Sequence, residues 1–178
     1  MSARTRTLLW IAAGIVLALI ALIPLFRGTQ APGGPASLAG RPAPVFDLVS
    51  DRGAAVSLAQ YRGKIVVMNL WATWCPPCRA EMPDLQTVAT QYARDGVVIV
   101  GVNQGESAEK AAAFAASLRI TFPIWLDQEQ RYGRAYQALG MPTTVIVDRS
   151  GTIVRGFDGA LTIDQMRAAI APLAGEKS

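Results

Sequence analysis

The chain has no histidine, and its 178 residues include only two cysteines, Cys75 and Cys78. A zinc site wants four nitrogen or sulfur ligands, so a lone cysteine pair without imidazole falls short of one. There is no basic run either. The net charge is +4, from 17 basic and 13 acidic residues, but Met1 to Gly28 holds three of the basic ones and no acidic one. The remainder is 14 − 13, a net of about +1, which leaves no stripe for nucleic acid. No cysteine follows the N-terminal apolar run closely, which excludes a lipoprotein anchor, and no internal repeat is present.

A hydrophobic content of 51% in a chain of this length fits one domain plus an appendage. The appendage is the N-terminus. A tail, 1–7, carries Arg4 and Arg6, and the run 8–26 is then free of charge. At about 1.5 Å per residue that run spans about 28 Å, close to the hydrocarbon core of a bilayer at roughly 30 Å, and it reads as a transmembrane anchor. A cleaved signal peptide is the alternative. The run is longer than a usual signal core, and the small-residue pattern Ser37-Leu38-Ala39 lies far beyond Phe26. Arg4 and Arg6 before the span, against Arg27 after it, place the N-terminus in the cytoplasm and the rest outside it. Residues 27–43, rich in glycine and proline, read as a flexible linker, with an ordered arm packed on the domain as the alternative for its last few residues only. Residues 44–178 are then the folded domain.

Both cysteines sit in Trp71-Ala-Thr73-Trp74-Cys75-Pro76-Pro77-Cys78-Arg-Ala-Glu81-Met-Pro83. An apolar β-like run from Ile65 to Trp71 feeds into Cys75, and from Cys78 onward Met82, Leu85, Val88 and Tyr92 recur at helical spacing. Cys75 therefore marks a strand end and helix start, where unpaired N–H groups and the helix dipole favour a thiolate. That is the chemistry of a dithiol exchanging disulfides, with Cys75 attacking and Cys78 resolving. A structural disulfide, half of a metal site and two inert thiols remain as alternatives. So short a loop would contribute only about 2 kcal/mol as a structural bridge.

The remaining pattern alternates. Val45 to Val49 and Ala55 to Leu58 form a hairpin pattern, followed by strands Ile65 to Trp71 and Val97 to Asn103 around a helix from Cys78 to Arg94. A helix from Ser107 to Leu118, with Ser107 as N-cap, precedes the strand Phe122 to Leu126. The spacing then predicts an amphipathic helix over Glu129 to Leu139, ended by Gly140. Strands Thr143 to Asp148 and Ile153 to Phe157 and a helix from Thr162 to Leu173 close the chain. Strand–helix–strand units imply parallel pairing, and the late hairpin adds antiparallel strands.

The segment Trp71 to Pro83 resembles the active site of the thioredoxin superfamily, and its Arg79-Ala-Glu81-Met-Pro83 continuation is similar to the membrane-anchored TlpA/ResA-like branch. Gly140-Met141-Pro142-Thr143-Thr144 resembles that family's cis-proline loop. The resemblance covers roughly Pro44 to Leu173. It implies an α/β fold, a thioredoxin-like mixed central sheet flanked by helices on both faces, here preceded by one N-terminal transmembrane helix. It implies an extracytoplasmic thiol-disulfide oxidoreductase of the inner membrane, acting through a Cys75–Cys78 redox disulfide and reducing protein disulfides. Apocytochrome c cysteines are the implied clients, a membrane thiol-electron transporter is the implied reductant, and no cofactor or metal is called for. Glu81 is implied as a partly buried carboxylate that moves the exchanged proton, against the simpler reading of a solvated first-turn glutamate. Trp74, Pro76, Met141, Pro142 and Thr143 are the implied client contacts, with Trp71 and Trp74 as packing and rim. The chain departs from the thioredoxin pattern at Asn69, where a titratable aspartate is usual, and has no lysine in Val97 to Asn103 to pair with it.

Three rivals remain. A peroxiredoxin-like peroxidase would want a threonine three residues before its cysteine, whereas Thr73 stands two before Cys75. A copper metallochaperone of thioredoxin fold would want a histidine. An inert dithiol on a binding scaffold would fail an insulin-reduction assay.

Overall fold

The computed structural model describes residues 34–175. The expected tail 1–7, membrane span 8–26 and first part of the linker, 27–33, lie outside the described residues. Among the described residues no helix is long and apolar enough to cross a membrane.

In chain order the strands are β1 (Leu48–Ser50), β2 (Ala55–Val56), β3 (Ile65–Trp71), β4 (Val97–Gln104), β5 (Ile124–Asp127), β6 (Thr143–Val147) and β7 (Ile153–Asp158). The helices are α1 (Pro76–Tyr92), α2 (Ala108–Ser117), α3 (Arg131–Ala135) and α4 (Ile163–Gly175). The strands form one sheet in the order β2-β1-β5-β4-β3-β6-β7. β3 is central because Ile65-Val-Val-Met-Asn-Leu-Trp71 is apolar on both faces save for Asn69, and every residue of it is buried. It pairs parallel with β4 from Ile65↔Val97 to Trp71↔Asn103, and antiparallel with β6 from Leu70↔Thr143 to Val66↔Val147. That register brings the loop before β6 beside the end of β3.

The right-handed crossovers through α1 and α2 put both helices on one face, where Met82, Leu85 and Val88 of α1 share a core with Ala111 and Ala115 of α2 and Met166 of α4. Burying a side chain such as Leu85 is worth roughly 1.5–3 kcal/mol. The other face is covered more thinly than expected, by α3 and two 3-10 turns, with Tyr132, Tyr136, Trp125 and Leu58 as its core.

Three expectations need correcting. The helix expected over Glu129 to Leu139 shrinks to five residues. The Asp127 carboxylate accepts the N–H groups of Arg131 and Tyr132 at 2.9 and 2.7 Å, which starts the helix late. Gln137 then turns the chain at φ 54°, before Gly140 is reached. Helix α1 starts at Pro76 rather than Cys78, since proline tolerates the first turn, and it continues through Pro83. The flexible-linker reading of 27–43 fails over residues 34–43. Pro35–Leu38 is a 3-10 turn packed on β7, Gly40 donates to the Ile153 carbonyl at 2.8 Å, and Ala43 donates to Gly151 at 2.9 Å. Gly156 permits this, because a Cβ there would collide with the Pro35 backbone.

Candidate active site

Strand β3 ends at Trp71, a turn closes with the Cys75 N–H on the Ala72 carbonyl at 3.2 Å, and α1 begins at once. Cys75 is the N-cap of α1, and its Sγ accepts the Cys78 backbone N–H at 3.3 Å. The sulfur thus occupies the place of a capping oxygen, where a donor and the positive end of a 17-residue helix meet it. The two sulfurs are joined as a disulfide. Both are buried in this oxidised form, but only Cys75 lines the adjoining groove, while Cys78 lies beneath it with no exposed surface.

The groove has a volume of about 480 Å³ and lies between the turn of Trp74, Cys75 and Pro76 and the segment that runs from α3 to Met141. Trp74, 61% exposed, forms its rim, whereas Trp71 is fully buried against Phe114 with ring centroids 5.6 Å apart. The Met141–Pro142 peptide bond is cis and lies at the start of β6. Met141 reaches the groove, but Thr143, expected among the client contacts, does not offer its side chain. It is fully buried, and its hydroxyl bonds the Gly140 carbonyl at 2.8 Å and the Asp158 carboxylate at 3.0 Å, so it braces the loop.

Glu81 is 3% exposed, three residues after Cys78 on the buried face of α1. Its Oε2 accepts from Asn69 Nδ2 at 3.2 Å and its Oε1 from the Leu161 N–H at 2.9 Å. Burial raises its pKa above the usual carboxylate range, and these two hydrogen bonds oppose that only in part. The solvated reading of this residue therefore does not describe its surroundings. Asn69 also donates to Thr144 Oγ1 at 3.1 Å across the β3–β6 ladder, while its Oδ1 has no partner.

A second carboxylate escaped the sequence reading. Glu106, 7% exposed, follows β4 and accepts from the Thr73 N–H at 2.7 Å, the Thr73 hydroxyl at 2.6 Å, Asn103 Nδ2 at 2.8 Å and Lys110 Nζ at 2.7 Å. Burial alone would raise its pKa, but the bonds from Lys110, Thr73 and Asn103 outweigh it and bring it to about 2. Glu106 thereby clamps the turn that leads into Cys75. The available signal was the polar run Asn103-Gln104-Gly105-Glu106 closing a buried strand, since open α/β sheets place their sites at the carboxyl ends of strands. The Thr73 hydroxyl is committed to this clamp, which takes it away from the peroxidase role that a threonine near the cysteine would suggest.

The profile of the AhpC/TSA family matches residues 39–155. The chain belongs to that family. Among its relatives, "Thiol-disulfide oxidoreductase ResA" of Geobacillus kaustophilus is 37% identical over 123 residues, covering 69% of this chain and 71% of that protein. The ResA of Bacillus subtilis is 34% identical over 155 residues, covering 86% of this chain and 87% of that protein. Among solved structures, a thioredoxin-family thiol:disulfide interchange protein from Chlorobium tepidum superposes with a TM-score of 0.68 at 28% identity, covering 75% of this chain and 96% of that one. With a Cys75–Cys78 disulfide of which Cys75 lines the groove, this AhpC/TSA chain has a thioredoxin-like fold and is a thiol-disulfide oxidoreductase of the ResA and DsbE type.

Proposed function

We propose that this oxidoreductase reduces protein disulfides on the outer side of a bacterial inner membrane, tethered there by residues 8–26. The observation that carries the chemistry is the Cys75 sulfur capping α1 at the wall of an open groove, with Cys78 sealed beneath it. In the reduced enzyme the Cys75 thiolate attacks one sulfur of a client disulfide. A Cys75–client bond forms, and the client's other sulfur leaves with the electron pair and takes a proton. Cys78 loses its proton and attacks the Cys75 sulfur. The intramolecular disulfide forms, and the second client sulfur leaves as thiolate. Two electrons pass to the client, and the enzyme ends in the disulfide form. Glu81, buried and with a raised pKa, serves as acceptor and donor of the proton that Cys78 exchanges. A membrane thiol-electron transporter would restore the dithiol.

Pro76 and Pro77 remove two N–H donors from the loop that faces the thiolate, which favours a reducing couple over a strongly oxidising one. Cysteine pairs of the haem-attachment type in apocytochrome c are the client class that fits a ResA-like reductant. The deciding measurement is the reduction potential of the Cys75–Cys78 couple. A value near that of thioredoxin, about −270 mV, supports the reading, and one near that of DsbA, about −120 mV, makes the enzyme an oxidant.

A further inference from the structure

Four large hydrophobic side chains are exposed among the described residues, and two of them, Trp74 at 61% and Leu139 at 73%, line the groove beside Cys75. Between them the lining is apolar or neutral apart from one permanent charge, the guanidinium of Arg134. Among the described residues Arg134 takes part in no ion pair, and its side chain makes no hydrogen bond. The carboxylates around it are committed elsewhere. Asp127 holds the N–H groups of Arg131 and Tyr132 and the amide of Gln104, Glu129 pairs with Arg131, and Asp158 holds the Leu139 N–H and the Thr143 hydroxyl. A cation with no internal partner, on the rim of the site that receives clients, is placed to act on the client. The backbone of Met141 is also uncommitted outside the ladders, so an extended client can lie along this edge.

We propose that this groove selects client segments carrying an acidic side chain two residues from the exchanged cysteine. Arg134 is the partner of that carboxylate, and Trp74 and Leu139 hold an adjacent apolar side chain. In an extended segment residues i and i+2 share a face at roughly 3.3 Å per residue, so the acidic group and the cysteine sulfur face the protein together. Arg134 is a specificity residue here and takes no part in the exchange itself. The proposal rests on the client-exchange reading above.

The test uses the reduced full chain with Cys78→Ser, in neutral detergent, so that exchange stops at the mixed disulfide. Each probe is a peptide whose single cysteine carries thionitrobenzoate. The Cys75 thiolate bonds the peptide sulfur and the coloured aryl thiolate leaves with the electron pair, which gives the rate. Peptides differ only in Glu, Gln or Lys at the position two residues from the cysteine, and rates are normalised to glutathione to remove intrinsic reactivity. The expected order is Glu, then Gln, then Lys, with about three- to tenfold between the extremes for a solvent-exposed charge pair. The spread should shrink in about 1 M salt, where the Debye length is about 3 Å. Arg134→Glu should reverse the order, Arg134→Gln should abolish it, and Leu139→Ser should slow all three peptides while keeping it. Equal normalised rates for the three peptides, or an order that survives Arg134→Glu, overturn the subsite. No reaction with any peptide would overturn the exchange reading on which it stands.

Discussion

Replacing Glu106 by Gln tests whether one carboxylate holds the turn in front of the nucleophile. Glutamine keeps the shape, but it offers one acceptor oxygen where the carboxylate offered two to Thr73, Asn103 and Lys110. With the amide oxygen in the place of Oε2, Lys110 loses its partner; with it in the place of Oε1, the Thr73 N–H and the buried Asn103 amide both lose theirs. The fall of the Glu106 pKa from 4.5 to about 2 corresponds to about 3 kcal/mol at about 1.4 kcal/mol per pH unit. Lys110 is 57% exposed, so solvent screens its share, and about 2 kcal/mol is the working figure. For a domain of this size that lowers Tm by about 4–8 °C at pH 7. Because the folded pKa lies below the unfolded one, the contribution is whole above about pH 4.5 and is lost as the pH falls towards 2. The gap in Tm between wild type and Glu106→Gln should therefore narrow through that window. Near-ultraviolet circular dichroism melts of the oxidised proteins between pH 7 and 2.5 provide the measurement. A gap of constant size across that range would refute the reasoning. Thr73→Val, which removes one of the four bonds, should give a smaller gap than Glu106→Gln at neutral pH.

Cys78→Ser should trap clients as mixed disulfides while Cys75→Ser traps none, and faster alkylation of Cys78 than of Cys75 in the reduced protein would reverse the assignment. Glu81→Gln removes a buried charge near the thiols, so the alkylation profile of Cys75 should move to lower pH, with slower exchange near neutrality. Superimposable profiles at matched ionic strength would reduce Glu81 to a packing residue. Gly156→Ala should lift the Pro35–Leu38 turn from β7 and speed hydrogen exchange at the Gly40 and Ala43 amides, and unchanged protection there would refute the packing argument. A reporter active only outside the cytoplasm, fused after Ser178, should be active, and the mature chain should retain Met1. A new N-terminus near Gly40 would turn the anchor into a signal peptide.

The central part of the fold was legible because its signals are local and strong. Ile65 to Trp71 is an unbroken buried strand run bounded by turn residues, and it forms a strand over the same residues. Ser107 announces α2 as a capping residue, and its hydroxyl accepts the Lys110 N–H as such a cap should. The segment after β5 was not legible, because its apolar spacing fits a helix while its ends are set by a side-chain cap just upstream and a left-handed residue at Gln137. Asp127, the last residue of β5, decides where α3 starts, and no apolar periodicity within residues 129–139 contains that information. The arm at 34–43 was misread for a related reason. Its glycines and prolines look like a tether, and only the absence of a side chain at Gly156, far along the chain, lets the turn settle there. Within the site, the cysteines and the cis-proline carried their own signatures. The position of Glu106 depended on β4 lying beside β3, which a linear reading did not connect with Thr73.

The buried carboxylates of Glu81 and Glu106 are pushed in opposite directions, and the difference suits them to different work. Glu81 has two neutral donors and an apolar surround, so burial prevails and its pKa rises. Glu106 has an ammonium group and three further donors, so the same burial is overcome and its pKa falls to about 2. A carboxylate that stays ionised near neutral pH is a poor proton carrier there, but it can hold a turn. A group whose pKa is raised can exchange a proton with a thiol at modest cost. Environments that drive two neighbouring acids apart in this way are how one site separates positioning from proton transfer. Asn69 fits the same division. Where the thioredoxin pattern has an aspartate, this chain has a neutral amide that donates to Glu81, which moves the titratable group from the strand to the helix that carries the cysteines.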